Sequence, residues 1–305
     1  MQAIELIVPL FVIIMVGYAF RKTRFVADTF VDDLNRIVFY IALPATLFVE
    51  TSDMPGLSRD LAVAAGAMFV AITVTAFLAL LVSFRIQPMR RGPFVQGTYR
   101  SNLAYLGLPV VSTLLGGQSL PIIAIGIAAG VTTNTVVSIV VLRLFQRDAD
   151  AMSISHRLLD IAKNPLIIAI VLGLLVSALS VPVPSLALDT LSLFSRVSLP
   201  LILLVVGFRL SFRKIGGSLA AAFGSAMMKL IAMPIVMWAV LTWVFPAPSL
   251  VRATMVLLVA MPTAVVSQSF AEVFSADEQL AAAVVSVSTL AAAITIPVWS
   301  VLVAV

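Results

Sequence analysis

Long apolar runs alternate with short polar stretches along the whole chain. A helix needs about 20 residues to cross ~30 Å of hydrocarbon. Runs of roughly that length are predicted as spans at 3–20, 34–50, 60–84, 94–116, 118–142, 164–181, 186–208, 216–245, 249–273 and 279–303. Residues 28–36, DTFVDDLNR, read as a short amphipathic lead-in to the second span. The first run is not read as a signal peptide: Glu5 stands where a basic segment is expected, Arg21 and Lys22 follow the run, and it has no small-residue cleavage site. The longest polar stretch, 143–163, leaves five spans on each side. The predicted fold class is therefore an all-α polytopic membrane protein. Residues 1–147 form a first five-helix unit, 148–163 a linker, and 164–305 a second unit.

Composition agrees with this pattern. Of 305 residues, 61% are hydrophobic and 11% charged, and the mean hydropathy is +1.15. Soluble domains carry about 25% charged residues, so this chain is too poor in charge to cover a water-facing surface. The absence of cysteine excludes disulfides, thiolate metal sites and a cysteine nucleophile. A net charge of +5 raises the question of nucleic acid. The cations nevertheless lie in loops between apolar spans, where membrane topology accounts for them. Arg21, Lys22, Arg24 and Arg36 follow span 1, and Arg85, Arg90 and Arg91 follow span 3. Arg143, Arg147, Arg157 and Lys163 follow span 5, and Arg209, Arg213 and Lys214 follow span 7. The opposite loops hold Arg59 and Arg252. The positive-inside rule then places both termini outside the cell membrane. The loop between spans 9 and 10 holds Glu272, Asp277 and Glu278 without a cation, and acidic residues count little in that rule.

The two halves repeat. Pro9 and Gly17 match Pro165 and Gly173, and Pro44 matches Pro200 with a leucine before each, all at an offset of 156. Pro109 and Pro262 match at an offset of 153. Five spans per half send the second half in from the opposite side, which makes an inverted repeat of the kind secondary transporters use.

Spans 4 and 9 carry LGLPVV at 106–111 and AMPTAV at 260–265 near their middles. Proline removes a backbone hydrogen bond and clashes with the preceding turn. In lipid such a break persists only when buried in protein or lining a wet cavity. The sequence therefore predicts that Gly107 and Pro109 break helix 4 and that Pro262 breaks helix 9. Each proline would open a half-helix whose N–H groups face the midplane, and the two crossing ends would suit an anion. Polar residues gather there: Ser101, Asn102, Ser112 and Thr113 in span 4, and Thr263, Ser267 and Gln268 in span 9. Spans 5 and 10 add TTNT at 132–135, with Asn134, and SVST at 286–289. Small polar residues also glue membrane helices together, so Ser and Thr here are read first as packing. The candidate substrate-binding set is Asn102, Gly107, Pro109, Pro262, Thr263, Ser267, Gln268, Asn134, Lys229 and Arg196. Lys229 and Arg196 enter as intramembrane cations able to neutralise an anion. Arg100 is expected to snorkel to the interface. Gln268 and Glu272 are weak sodium candidates, and no other metal site is expected.

The chain resembles the auxin efflux carrier family of membrane transporters. The resemblance rests on the ten-span layout, on Asn102, Gly107 and Pro109 in an N-x4-G-x-P pattern, on MPTA at 261–264, and on KNP at 163–165. It covers the whole chain. It implies the fold shared with bile acid/sodium symporters, with helices 4 and 9 crossing at their breaks. Helices 1, 2, 6 and 7 would form a scaffold and helices 3–5 and 8–10 a moving core. It implies export of a small organic anion such as a carboxylate by an elevator motion, the alternative on the same fold being a sodium-coupled importer. The short central loop looks bacterial rather than plant. The coupling ion, H+ or Na+, stays open, and no cofactor is expected. The expected partners are the anion and the lipid bilayer, with a homodimer as the assembly to look for and no nucleic acid. An enzyme is disfavoured because the only histidine, His156, lies in a loop and no zinc or hydrolase constellation accompanies it. A channel would show a filter built by oligomer symmetry.

Overall fold

The structure, a computed structural model, describes residues 2–53, 58–145, 162–209, 219–274 and 276–303. The predicted linker 148–163 lies outside these apart from residues 162 and 163. Among the described residues the chain is all-helical, with one isolated pair of bridging residues and no named strand. The helices are α1 Gln2–Thr23, α2 Asp28–Ser52, α3 Arg59–Ser83, α4 Pro88–Tyr99, α5 Leu103–Leu115 and α6 Leu120–Phe145. They continue with α7 Pro165–Ala178, α8 Ser185–Arg209, α9 Leu219–Val244, α10 Ser249–Val259, α11 Val266–Val273 and α12 Glu278–Val303. Six of the helices, α2, α3, α6, α8, α9 and α12, are long and apolar enough to cross a membrane. The lead-in expected at 28–36 is continuous with α2.

Local chemistry sets several boundaries. The Ser58 hydroxyl accepts from Leu61 N at the start of α3. Asn164 caps α7 by accepting from Leu166 N at 2.9 Å, and Pro165 follows at the first position, where its missing N–H is no loss. Gly116 ends α5 with φ +76°, a conformation that favours glycine.

Pro262 lies in a break of its run, as expected, but three other prolines inside the apolar runs do not sever their helices. Pro44, Pro109 and Pro234 each follow a π turn, at Val38–Ala42, Leu103–Gly107 and Met228–Ala232. The carbonyl four residues before each proline falls within that turn. A π turn widens the ring of hydrogen bonds by one residue. It thus makes room for the pyrrolidine ring and absorbs the bond that proline cannot make. This corrects the expectation that Gly107 and Pro109 break helix 4. The break lies upstream, at Arg100–Asn102 between α4 and α5. Gly107 has a packing role instead: a Cβ there would meet the Leu258 side chain at 2.6 Å.

Two close helix pairs dominate one side of the molecule, α1 with α8 and α2 with α7. A Cβ on Gly17 would run into the backbone of Leu204, and a Cβ on Gly173 into the Phe48 carbonyl and Thr51. Residue 173 is to 17 as 204 is to 48, an offset of 156 both times. On the other side α3 packs on α6 and α9 on α12, and α4, α5, α10 and α11 lie among them.

Candidate functional site

The break in helix 4 meets the break at Ala260–Val265 between α10 and α11. Unwinding leaves carbonyls at the end of α4 and α10 without their usual donors. In an apolar interior each must find another. The two stretches supply one another as an antiparallel pair at Ser101 and Thr263. Asn102 N donates to Pro262 O and Ala264 N to Arg100 O, both at 2.9 Å. The Ser101 hydroxyl donates to Val259 O at 3.1 Å and the Thr263 hydroxyl to Gly97 O at 2.7 Å. Every one of these bonds maps onto another when residue numbers are shifted by 162. The equivalent residues at the crossing are thus Ser101 and Thr263, not the two prolines at offset 153. A hydroxyl that caps the other strand's last carbonyl is what each break requires, and proline occupies unrelated places in the two stretches. Two features are not symmetric. Thr263 N turns aside to α12, donating to Ser288 Oγ at 3.1 Å. Lys229 Nζ also donates to Val259 O, and to Met233 Sδ at 3.3 Å.

A cavity of about 450 Å³ opens beside the crossing. One wall consists of Arg100–Tyr105, Val131, Asn134 and Thr135 of α6, and Ala264–Val266 with Phe270. The facing wall consists of Asn35 and Phe39 of α2, Asn164 and Leu166 of α7, and Val205, Val206 and Arg209 of α8. Among the described residues its lining includes two arginines and no Asp or Glu. Arg209 is ion-paired with Asp32 at 3.0 Å. Arg100 has no acidic partner among the described residues: its Nη1 donates to Ser138 Oγ at 2.8 Å, and its guanidinium carbon stands 4.1 Å from the centre of the Phe270 ring. Tyr105 spans the two walls, donating its hydroxyl to Asn35 Oδ1 at 2.8 Å.

Of the residues singled out from sequence, Asn102 and Asn134 line this cavity. Asn134 Oδ1 is buried with no hydrogen-bond partner. Pro262 and Thr263 belong to the crossing itself and are buried behind the wall. Gly107 and Pro109 lie further along α5. Ser267 and Gln268 sit on α11, where Ser267 Oγ and Gln268 Nε2 have no partner, but neither residue lines the cavity. The Glu272 side chain lies outside the described residues. Lys229 is fully buried behind the crossing, bonded as above, and does not reach the cavity. Arg196 is exposed on α8 away from it. The snorkelling expected of Arg100 is also corrected, because the residue is only 6% exposed and faces inward. The sequence reading missed Arg100, Ser138, Tyr105, Asn35 and Phe270. The one available signal was a cation two residues before Asn102.

The membrane transport protein family model matches residues 2–300. An uncharacterized transporter of Methanothermobacter thermautotrophicus is 25% identical, the match covering 99% of this chain and 98% of the relative. An uncharacterized transporter of Methanocaldococcus jannaschii is 21% identical, with 98% of each covered. With its model matched over nearly the whole length, the chain belongs to the membrane transport protein family, the auxin efflux carrier family that its motifs resemble.

Proposed function

We propose that this transporter is a secondary carrier exporting a small organic anion such as a carboxylate, and that the anion is held at Arg100 and Asn102. The observation that carries this reading is a buried arginine that has no acidic partner among the described residues, in the wall of a cavity whose described lining has no Asp or Glu. Among the described residues no Asp or Glu is buried, whereas Arg100 and Lys229 both are, on either side of the crossing. An unpaired cation in a membrane interior is expensive. An anion entering beside Arg100 relieves that cost, and amide groups from Asn102 and Asn134 stand ready as donors.

The architecture in this reading is a ten-helix 5+5 inverted repeat. It is supported by the paired glycine contacts at offset 156 and the reciprocal bonds of the crossing at offset 162. Helices α1, α2, α7 and α8 act as scaffold and the rest as moving core. The cavity lies on the boundary between the two groups, where sliding of the core would carry a bound anion across. Asn35, Asn164 and Arg209 in its wall adjoin the cation-rich loops. With both termini outside a bacterial inner membrane, the cavity opens to the cytoplasm, the side from which export starts.

Counterflow in proteoliposomes tests this. Labelled acetate, succinate and benzoate are each offered to vesicles with and without the same unlabelled acid inside. A carrier accelerates uptake when its substrate waits on the far side, and Arg100→Gln loses at least tenfold of that rate. Uptake that ignores the internal acid sinks the carrier reading.

A further inference from the structure

We infer that Ser138 and Phe270 are positioning residues: they hold the Arg100 guanidinium in place without neutralising it, so that it presents its remaining donors to a carboxylate. The inference rests on the reading of Arg100 as the anion holder.

An arginine side chain is long and flexible, and a buried guanidinium is usually fixed by a carboxylate, which also cancels its charge. Arg209, at the same cavity, is part-exposed and pairs with the exposed Asp32 at 3.0 Å. Arg100 is fixed differently, by three elements that carry no charge. Its backbone is pinned in the crossing, where its carbonyl accepts from Ala264 N. Ser138, from α6, accepts one N–H at 2.8 Å. Phe270, from α11, lies against the guanidinium at 4.1 Å and attracts it through the ring face.

Ser138 is fully buried and is itself held by the Tyr99 hydroxyl at 2.9 Å. A serine hydroxyl has one proton and two lone pairs. With Arg100 and Tyr99 on either side its oxygen is held in place, and it accepts from Arg100. One of the five guanidinium N–H groups is thereby engaged. The planar fork keeps donors for a bidentate carboxylate, and its full positive charge remains available to the ligand. A carboxylate in place of Ser138 would orient Arg100 equally well and abolish the reason for an anion to bind.

The experiment uses the full-length protein in proteoliposomes, with counterflow of labelled acetate, succinate and benzoate as probes. Ser138→Ala raises KM about tenfold, with the maximal rate within about twofold of wild type. Ser138→Thr restores KM, since the hydroxyl returns. Phe270→Leu raises KM, and Phe270→Tyr, which keeps a ring, restores it. Ser138→Asp eliminates saturable transport although the protein elutes as a folded species with wild-type Tm within a few degrees. An unchanged KM in Ser138→Ala, or wild-type transport by Ser138→Asp, overturns the inference while leaving the carrier reading in place, provided that Arg100→Gln is defective. Wild-type protein without counterflow for any probe overturns both.

Discussion

Removing the Thr263 hydroxyl is expected to destabilise the crossing more than removing the Ser101 hydroxyl, although the two groups make equivalent bonds. Thr263→Val keeps the side-chain volume and deletes the donor to Gly97 O. That carbonyl has lost its helical donor, because Ser101 N donates to Tyr99 O instead. It is therefore left unsatisfied in an apolar interior, at a cost of about 1–3 kcal/mol. Ser101→Ala deletes the donor to Val259 O, but Lys229 Nζ still serves that oxygen. Its cost should stay near ~0.5–1 kcal/mol, the net value of one replaceable hydrogen bond. The same reasoning makes Ser101 and Lys229 interdependent. Lys229→Met alone leaves Ser101 on Val259 O, whereas the double variant strands that carbonyl, so its loss should exceed the sum of the single losses by at least ~1 kcal/mol. Unfolding free energies in mixed detergent micelles, followed by tryptophan fluorescence, give all four values, and Thr263→Ser controls for the methyl group. Equal losses for Thr263→Val and Ser101→Ala, or strict additivity of Ser101→Ala with Lys229→Met, would refute the accounting.

Gly17→Leu should force α1 away from α8, since even a Cβ would overlap the Leu204 backbone; a loss of about 3 kcal/mol or more, or failure to fold, is expected in the same assay, and near-wild-type stability would contradict the close approach. Tyr105→Phe removes the bond to Asn35 across the cavity and should shift the balance between inward- and outward-open forms by roughly twofold to tenfold. Because the natural chain lacks cysteine, single introduced cysteines in the cavity wall report that shift as a changed alkylation rate, and an unchanged rate counts against a latch. Asn102→Ala should weaken anion binding at least tenfold with Tm preserved, read by thermal shift with succinate, acetate and benzoate; wild-type affinity would exclude Asn102 from the site.

The membrane character and the order of the helices were legible because hydrophobicity is summed over some twenty residues, and such a sum tolerates local error. The neighbourhood of the candidate cavity was legible for a related reason. Polar residues such as Asn102 and Asn134 are conspicuous in apolar runs, since lipid tolerates them only with partners. The position of the break was not legible. Pro109 looks like a helix breaker, but a π turn at Leu103–Gly107 accommodates it. The break falls instead at Arg100–Asn102, where Ser101 and Asn102 disfavour a helix far more weakly than a proline does. Lys229 and Arg196 carry the same charge in the sequence, yet one is sealed behind the crossing and the other lies at the surface.

The sequence by itself determined that this chain spans a membrane, that its halves share spaced Pro and Gly positions, and that its polar residues gather in spans 4 and 9 and their neighbours. These are one-dimensional properties, set by how many apolar groups must leave water and at what intervals. Tertiary structure decided which atoms meet. It paired Ser101 with Val259 and Thr263 with Gly97, turned Arg100 inward onto Phe270 and Ser138, and gave Arg209 a counter-ion while Arg100 has none among the described residues. The physical reason is that an unwound backbone in an apolar interior must find its partners wherever the fold brings them, and here they lie more than 150 residues away along the chain.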